Sequence, residues 1–108
     1  MSIRLPKPVA AYFAAEKAED ADALARCFVP EGIVRDEGGT FQGTVAIRQW
    51  NAAAREKYHH TVEPLSVIDR DGHVVVVGRV AGSFPGSPVD LEHIFGLRGD
   101  KIESLEIR

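Results

Sequence analysis

The stretch HHTVEPLSVIDRDGHVVVVGRVAGSF, residues 59–84, decides the fold. Upstream of it the chain is rich in alanine with apolar residues at helical spacing, whereas here valine dominates and the period falls to two. Asp71-Gly72 is a strong two-residue signal for a β-hairpin. The stretch therefore predicts an outgoing strand over residues 59–70 and a returning strand over residues 73–84.

Two further strands follow the hairpin. After the turn sequence PGSP, residues 89–98 form a third long strand, and Gly99-Asp100 connects it to a fourth over residues 101–108. Strict alternation gives the third strand one face that is apolar except for His93. We expect this face to be the concave side of the sheet, covered by helices.

Three helical stretches and two short strands are predicted upstream. The first helix spans residues 9–17. The second runs from the N-cap Asp20 to about Phe28 and is ended by Pro30 and Gly32, and the third is capped by Thr44. The two short strands span residues 33–35 and 40–42. The order predicts one α+β domain of 108 residues, with three N-terminal helices packed on a curved antiparallel sheet.

Composition excludes several classes of function. The 13 basic and 16 acidic residues leave a net charge of −3 without a Lys/Arg cluster, so we expect no nucleic-acid partner and no membrane contact. The single cysteine excludes an intrachain disulfide, and a cytoplasmic location is the simplest expectation. Because the chain has no HExxH motif, paired Cys/His set or phosphate-binding glycine motif, we predict no metal and no cofactor.

The chain resembles the nuclear transport factor 2-like superfamily, and more narrowly its SnoaL-like and ketosteroid isomerase-like branch. The resemblance spans residues 9–108 and is carried by ALARCFVPEGIVRDEGG, FQGTVAIRQW and LEHIFGLRGDKIESLEI in that order. It implies a cone-shaped fold with a pocket between helices and sheet. It does not imply one activity, because the fold hosts isomerases, cyclases, dehydratases, hydrolases and binding modules.

The resemblance also implies roles for individual residues. Steroid isomerases combine an aspartate base with an oxyanion hole made by a tyrosine and a protonated aspartate. Tyr12 and Asp36 resemble the tyrosine and the base, but Phe95 stands where the second acid is expected. His93, one inward step away, is a candidate replacement. A hole that lacks one donor loses about two to three orders of magnitude in rate, which argues against steroid isomerisation itself.

Each candidate has a functional and a structural interpretation. Asp36 is either a base at a pocket mouth or a solvated residue of the Gly38-Gly39 turn. Tyr12, Trp50 and His93 either face a ligand or satisfy the core. The expected ligand-binding residues are mostly aromatic and aliphatic: Phe13, Trp50, Val80, Phe84, Leu91 and Phe95. Gly78 and Gly82 either leave room for a ligand beneath the helices or bend the sheet.

Two hypotheses of function follow. The first is a protein that binds a small apolar or carbonyl-bearing ligand. If it is an enzyme, it is a cofactor-independent isomerase, dehydratase or cyclase that uses Asp36 as base. The second is a non-catalytic binding or dimerisation module. In both, the mixed outer face of the sheet predicts a C2 homodimer.

Overall fold

The computed structural model describes residues 3–108. Within them the chain forms three helices and six strands: α1 Lys7–Lys17, α2 Ala21–Arg26, β1 Phe28–Asp36, β2 Gly39–Gln42, α3 Thr44–Tyr58, β3 Thr61–Arg70, β4 His73–Ala81, β5 Val89–Arg98 and β6 Lys101–Ile107. The α+β class is as expected. The helices are not all N-terminal to the sheet, however, because α3 follows β1 and β2.

The six strands form one mixed sheet in the order β2-β1-β6-β5-β4-β3. The meander from β3 to β6 is antiparallel, as the alternation and turn signals predict. The expectation of a wholly antiparallel sheet is wrong, because β1 pairs with β6 in parallel. That pairing joins distant parts of the chain, and nothing in the local periodicity of β1 distinguishes a parallel from an antiparallel neighbour.

The second helix is shorter than its apolar pattern indicates. Asp20 caps it, as predicted, by accepting a hydrogen bond from the backbone N–H of Ala23. The helix ends at Arg26, and Phe28 already belongs to β1. Pro30 therefore lies in a strand, at a place where the pairing register of β1 with β6 shifts between Phe28 and Ile33. Such an irregularity accommodates a proline that cannot donate to the sheet.

Helices cover the inner face of the sheet, and α1 makes the closest aromatic contacts. Tyr12 and Phe13 pack against Phe95, with ring centroids 5.3 and 5.8 Å away. Gly78 leaves room for other side chains, since an added Cβ would lie 2.9 Å from the His93 ring and 3.0 Å from Val62. Among residues 3–108, no helix is long and apolar enough to cross a membrane.

Candidate functional site

A cavity of about 350 Å³ lies between the helices and the inner face of the sheet. Its wall is contributed by α1, α3, the end of β1, the strands β3 to β6 and the loop that joins β4 to β5. The lining residues are Tyr12, Glu16, Asp36, Glu37, Trp50, Asn51, Ala54, Tyr58, His60, Val62, Val80, Phe84, Pro85, Gly86, Val89, Leu91, His93 and Ile107. A space of this size accommodates a small organic molecule.

Asp36 lies at the edge of this cavity, where β1 ends and the glycine turn begins. Its Oδ2 accepts a hydrogen bond from the indole Nε1–H of Trp50, at 3.1 Å. Burial raises the pKa of Asp36, and the neighbouring Glu37 adds to that rise, whereas the Trp50 hydrogen bond and the His60 ring oppose it. Asp36 is therefore a half-buried carboxyl group with a raised pKa and a fixed orientation.

Glu37 is held in a similar way, one residue further along the turn. Its Oε1 accepts a hydrogen bond from the Tyr58 hydroxyl, at 3.0 Å. Trp50 and Tyr58 are separated by two helical turns on α3, and Ala54 lies between them on the same wall. One face of α3 thus supplies an aromatic N–H or O–H donor to each of two consecutive carboxylates.

Glu16 is the second acidic centre of the cavity and is only 6% exposed. Asn51 Nδ2 donates to its Oε2 at 3.1 Å, and Arg55 Nη2 donates to its Oε1 at 3.2 Å. His60 Nε2 lies 2.9 Å from the same Oε1. Burial alone would raise the pKa of Glu16, but the His60 hydrogen bond and the charges of His60 and Arg55 outweigh burial and hold the pKa below its usual value.

Tyr12 is 2% exposed and belongs both to the core and to the cavity wall. Its ring packs edge-on against Phe13, Phe28 and Phe95. Burial raises the pKa of Tyr12 well above its usual value, and the charges of Glu16 and Asp36 raise it further. The phenol therefore stays protonated, as a hydroxyl that can donate to a carbonyl oxygen must be.

His93 lies on the inner face of β5 and is also 2% exposed. Its Nδ1 is 3.1 Å from the backbone carbonyl of Leu91, two residues earlier on the same strand. Burial lowers the pKa of His93, so the ring is neutral at physiological pH. This distance fits a hydrogen bond from Nδ1–H to the Leu91 carbonyl oxygen. His93 is therefore a core histidine that is hydrogen-bonded to its own strand, and it also lines the cavity.

The structure brings most of the residues predicted from the sequence to one cavity. Tyr12, Asp36 and His93 line it together with Trp50, Val80, Phe84 and Leu91. The other two predicted ligand-binding residues, Phe13 and Phe95, lie in the hydrophobic core and are not part of the cavity wall.

Sequence reasoning missed the polar cluster around Glu16. His60 lies between α3 and β3, and its ring pairs with Glu16 inside the protein. His59 is the junction residue: it ends α3 in the left-handed conformation, with φ 49°. A usable signal existed, because Glu16 follows Tyr12 by four residues and so shares its helix face. The partners Asn51 and Arg55 also follow one another by four residues on α3.

Across residues 3–108, no group of three or more His, Cys, Asp or Glu side chains is arranged to hold a metal ion. The cavity has two histidines, His60 and His93, but Glu16 and the Leu91 carbonyl already engage them.

Three helices over one six-stranded mixed sheet, with a cavity between the layers, define a nuclear transport factor 2-like domain. Residues 9–105 match the family model of the SnoaL-like domain, and the chain belongs to that family. The resemblance noted in the sequence is therefore confirmed. No protein of curated function matches the chain significantly.

Solved structures extend this likeness. A provisionally assigned polyketide cyclase from Sinorhizobium meliloti is 40% identical, with a TM-score of 0.92 over 96% of this chain and 95% of its own. A protein of ketosteroid isomerase-like fold from Catenulispora acidiphila, solved with trimethylamine, is 23% identical, with a TM-score of 0.84 over 97% of this chain and 86% of its own. An NTF2-like protein from Cytophaga hutchinsonii shares the fold at 13% identity, with a TM-score of 0.77 over 100% of this chain and 93% of its own.

Proposed function

We propose that the protein binds a small apolar or carbonyl-bearing molecule in the cavity and transfers a proton with Asp36, without a cofactor. The observation that carries the proposal is the state of Asp36, a carboxyl group with a raised pKa at the cavity edge, oriented by Trp50. A general base works best when its pKa lies near the working pH, because it is then largely ionised and still basic enough to take up the proton. The neighbour from Sinorhizobium meliloti, with its provisional cyclase assignment, supports the same class of substrate.

Two of the three carboxyl groups that line the cavity, Asp36 and Glu16, divide the roles. The pKa of Asp36 is raised, whereas the pKa of Glu16 is lowered by its partners. When the surroundings of two carboxyl groups shift their pKa values in opposite directions, the group with the raised pKa is the one suited to exchange protons. The group with the lowered pKa keeps its charge. Asp36 is accordingly the base in this proposal, and Glu16 remains ionised in its network.

Tyr12 supplies the second part of the mechanism. Removing a proton alpha to a ketone places negative charge on the carbonyl oxygen, and a protonated phenol can donate a hydrogen bond to it. Tyr12 lines the same cavity as Asp36 and keeps its proton. His93, a neutral ring on that wall whose Nδ1–H is engaged by the Leu91 carbonyl, keeps Nε2 as a hydrogen-bond acceptor for a hydroxyl or N–H of the ligand. These steps suit isomerisation, dehydration or cyclisation of a ketone.

The test is exchange of the alpha protons of 4-phenyl-2-butanone in D₂O, followed by proton NMR. We expect the wild-type protein to accelerate exchange, and Asp36→Asn to slow it by about a hundredfold, the lower end of general-base catalysis. Tyr12→Phe should slow it as well. Glu56→Gln removes an exposed carboxylate outside the cavity wall and should leave the rate unchanged. A wild-type rate equal to that of Asp36→Asn would refute catalysis by this residue.

A specific observation favours the second candidate function, a non-catalytic binding module. The His93 ring hydrogen-bonds to the backbone of its own strand through its one N–H, so that donor is engaged and is not free for an oxyanion hole. Under this alternative, ligands protect the fold against heat, yet no alpha-proton exchange exceeds that of Asp36→Asn. A ligand at about 100 times its Kd adds roughly 2.7 kcal/mol, so binding is visible as a thermal shift even without turnover.

The proposal includes a homodimer through the outer face of the sheet. Ile68 is 54% exposed there, on the edge strand β3. The ion pairs of Arg70 with Glu92 and of Arg79 with Asp90 give this face both signs of charge, as a self-complementary two-fold interface requires. Light scattering after gel filtration should give twice the chain mass for wild type and the chain mass for Ile68→Glu. A wild-type monomer at high concentration would refute the dimer.

A further inference from the structure

The mouth of the cavity is acidic and aromatic, and its carboxylates are not balanced by paired cations. Glu37 is exposed at the mouth and Asp36 is half-buried beside it. Both accept hydrogen bonds from neutral donors, Trp50 and Tyr58, rather than from lysine or arginine. Within residues 3–108, no lysine or arginine belongs to the cavity wall.

Within the described part of the chain, the nearest cations form no ion pair with these two carboxylates. Arg55 pairs with Glu16, which leaves that carboxylate neutralised. Lys57 lies over the Tyr58 ring, with its Nζ 5.0 Å from the ring centroid, and it is fully exposed to solvent. Its charge acts on Glu37 from the solvent side, where water screens the attraction between these two exposed side chains. Two adjacent carboxylates at the mouth thus retain negative charge toward the cavity.

Aromatic rings surround the same place. Trp50, Tyr58 and Phe84 all line the cavity, and Tyr58 and Phe84 pack edge-on with centroids 5.8 Å apart. The face of an aromatic ring attracts a cation, and the attraction grows when the cation is shielded from water. Carboxylates beside aromatic rings are the combination that recognises an alkylated ammonium group.

An independent observation deeper in the cavity also points to a donor on the ligand. Asn51 is 1% exposed and lines the cavity, and its amide oxygen Oδ1 has no hydrogen-bond partner among the described residues. A buried acceptor without a partner is costly, and a ligand that carries an N–H would satisfy it. The Asn51 oxygen and the two carboxylates at the mouth are all acceptors that an N–H donor on a ligand would satisfy. The other unpaired buried atoms, Arg55 Nε and His60 Nδ1, belong to the network around Glu16.

We infer that the ligand carries a positively charged amine, with its alkylammonium group between the Asp36–Glu37 carboxylates and the rings of Trp50 and Tyr58. The apolar part extends toward Val80, Phe84 and Leu91. This inference rests on the proposed function, since it names the chemical class of ligand for the same cavity. It adds that charge, and not only apolar shape, selects the ligand.

The experiment compares two probes of nearly equal shape, N,N-dimethyl-2-phenylethylamine, which is protonated at neutral pH, and the neutral 4-phenyl-2-butanone. Dissociation constants come from titration of Trp50 fluorescence at low ionic strength. We expect the amine to bind about tenfold more tightly, and added salt to reduce that preference without changing ketone affinity.

Two variants locate the effect. Glu37→Gln should reduce the preference for the amine over the ketone to about threefold or less, because one of the two carboxylates is neutralised. Glu56→Gln, which removes one exposed negative charge elsewhere on α3, should leave the tenfold preference intact.

The outcomes separate this inference from the proposed function. Ketone binding that equals or exceeds amine binding would overturn the cationic ligand and leave the carbonyl ligand standing. Binding of neither probe would overturn both, because the cavity would then not receive molecules of this size. An amine preference that survives Glu37→Gln together with Asp36→Asn would place the cation elsewhere and also overturn the inference.

Discussion

Replacing Glu16 by glutamine should be the most destabilising single change in the cavity. Arg55 has only 13% of its side chain exposed, and its Nη2 lies 3.2 Å from the Glu16 carboxylate. Loss of that charge leaves a mostly buried guanidinium without a counter-ion, a situation that costs about 3 kcal/mol or more. At about 4 °C per kcal/mol for a domain of this size, Tm should fall by roughly 12 °C.

The assay is thermal unfolding of three variants beside wild type. Asp22→Asn is the matched control, since Asp22 and Arg48 form a pair 3.5 Å apart with 66% and 45% of their side chains exposed. Exposed pairs contribute about 0–1 kcal/mol, so its Tm should move little. The double variant Glu16→Gln/Arg55→Met should recover part of the loss, because no unpaired charge remains.

The pH dependence follows from the lowered pKa of Glu16. A carboxyl group with a depressed pKa stabilises the fold above its unfolded pKa, and this contribution is lost as the pH falls through the folded pKa. The Tm deficit of Glu16→Gln should therefore shrink in acid. A fall in Tm at neutral pH no larger than that of Asp22→Asn would refute the buried ion network.

Three further predictions follow from the same geometry. Asp36→Asn keeps an acceptor for Trp50 and should raise Tm at neutral pH but not in acid. The reason is that a carboxyl group with a raised pKa destabilises the fold only once it is ionised. Equal Tm changes at both pH values would contradict this prediction. Gly78→Ala should cost about 1–3 kcal/mol in urea unfolding, since its Cβ would lie 2.9 Å from the His93 ring; wild-type stability would contradict the close packing. The His93 ring should titrate by NMR below the usual histidine pKa; a midpoint at or above that pKa would show that the ring is not desolvated.

The fold could be predicted from the sequence where local signals decide it. Asp71-Gly72 and the change of period after Tyr58 specify the β3–β4 hairpin, and they place Asp69 opposite Val74 without any long-range information. The parallel pairing of β1 with β6 could not be predicted in this way. It depends on contacts between residues such as Val34 and Leu105, which are far apart in the chain.

The candidate site was predictable in its apolar part and less so in its polar part. Val80 and Leu91 follow from alternation along strands, because the inner face of each strand repeats every second residue. The network around Glu16 joins α1, α3 and the connection between α3 and β3 through the side chains of Asn51, Arg55 and His60. A single sequence shows the helix faces that carry these residues, but not the packing of one helix against the other.

The most direct test of the central claim uses the single tryptophan of the chain. The Trp50 indole N–H donates to Asp36 at the cavity edge, so its one ¹⁵N–¹H signal reports on both the cavity and the proposed base. Titration with 4-phenyl-2-butanone should shift this signal saturably in wild type. An indole signal that stays in place, while the protein remains folded and the ligand is in large excess, would contradict a carbonyl ligand beside Asp36.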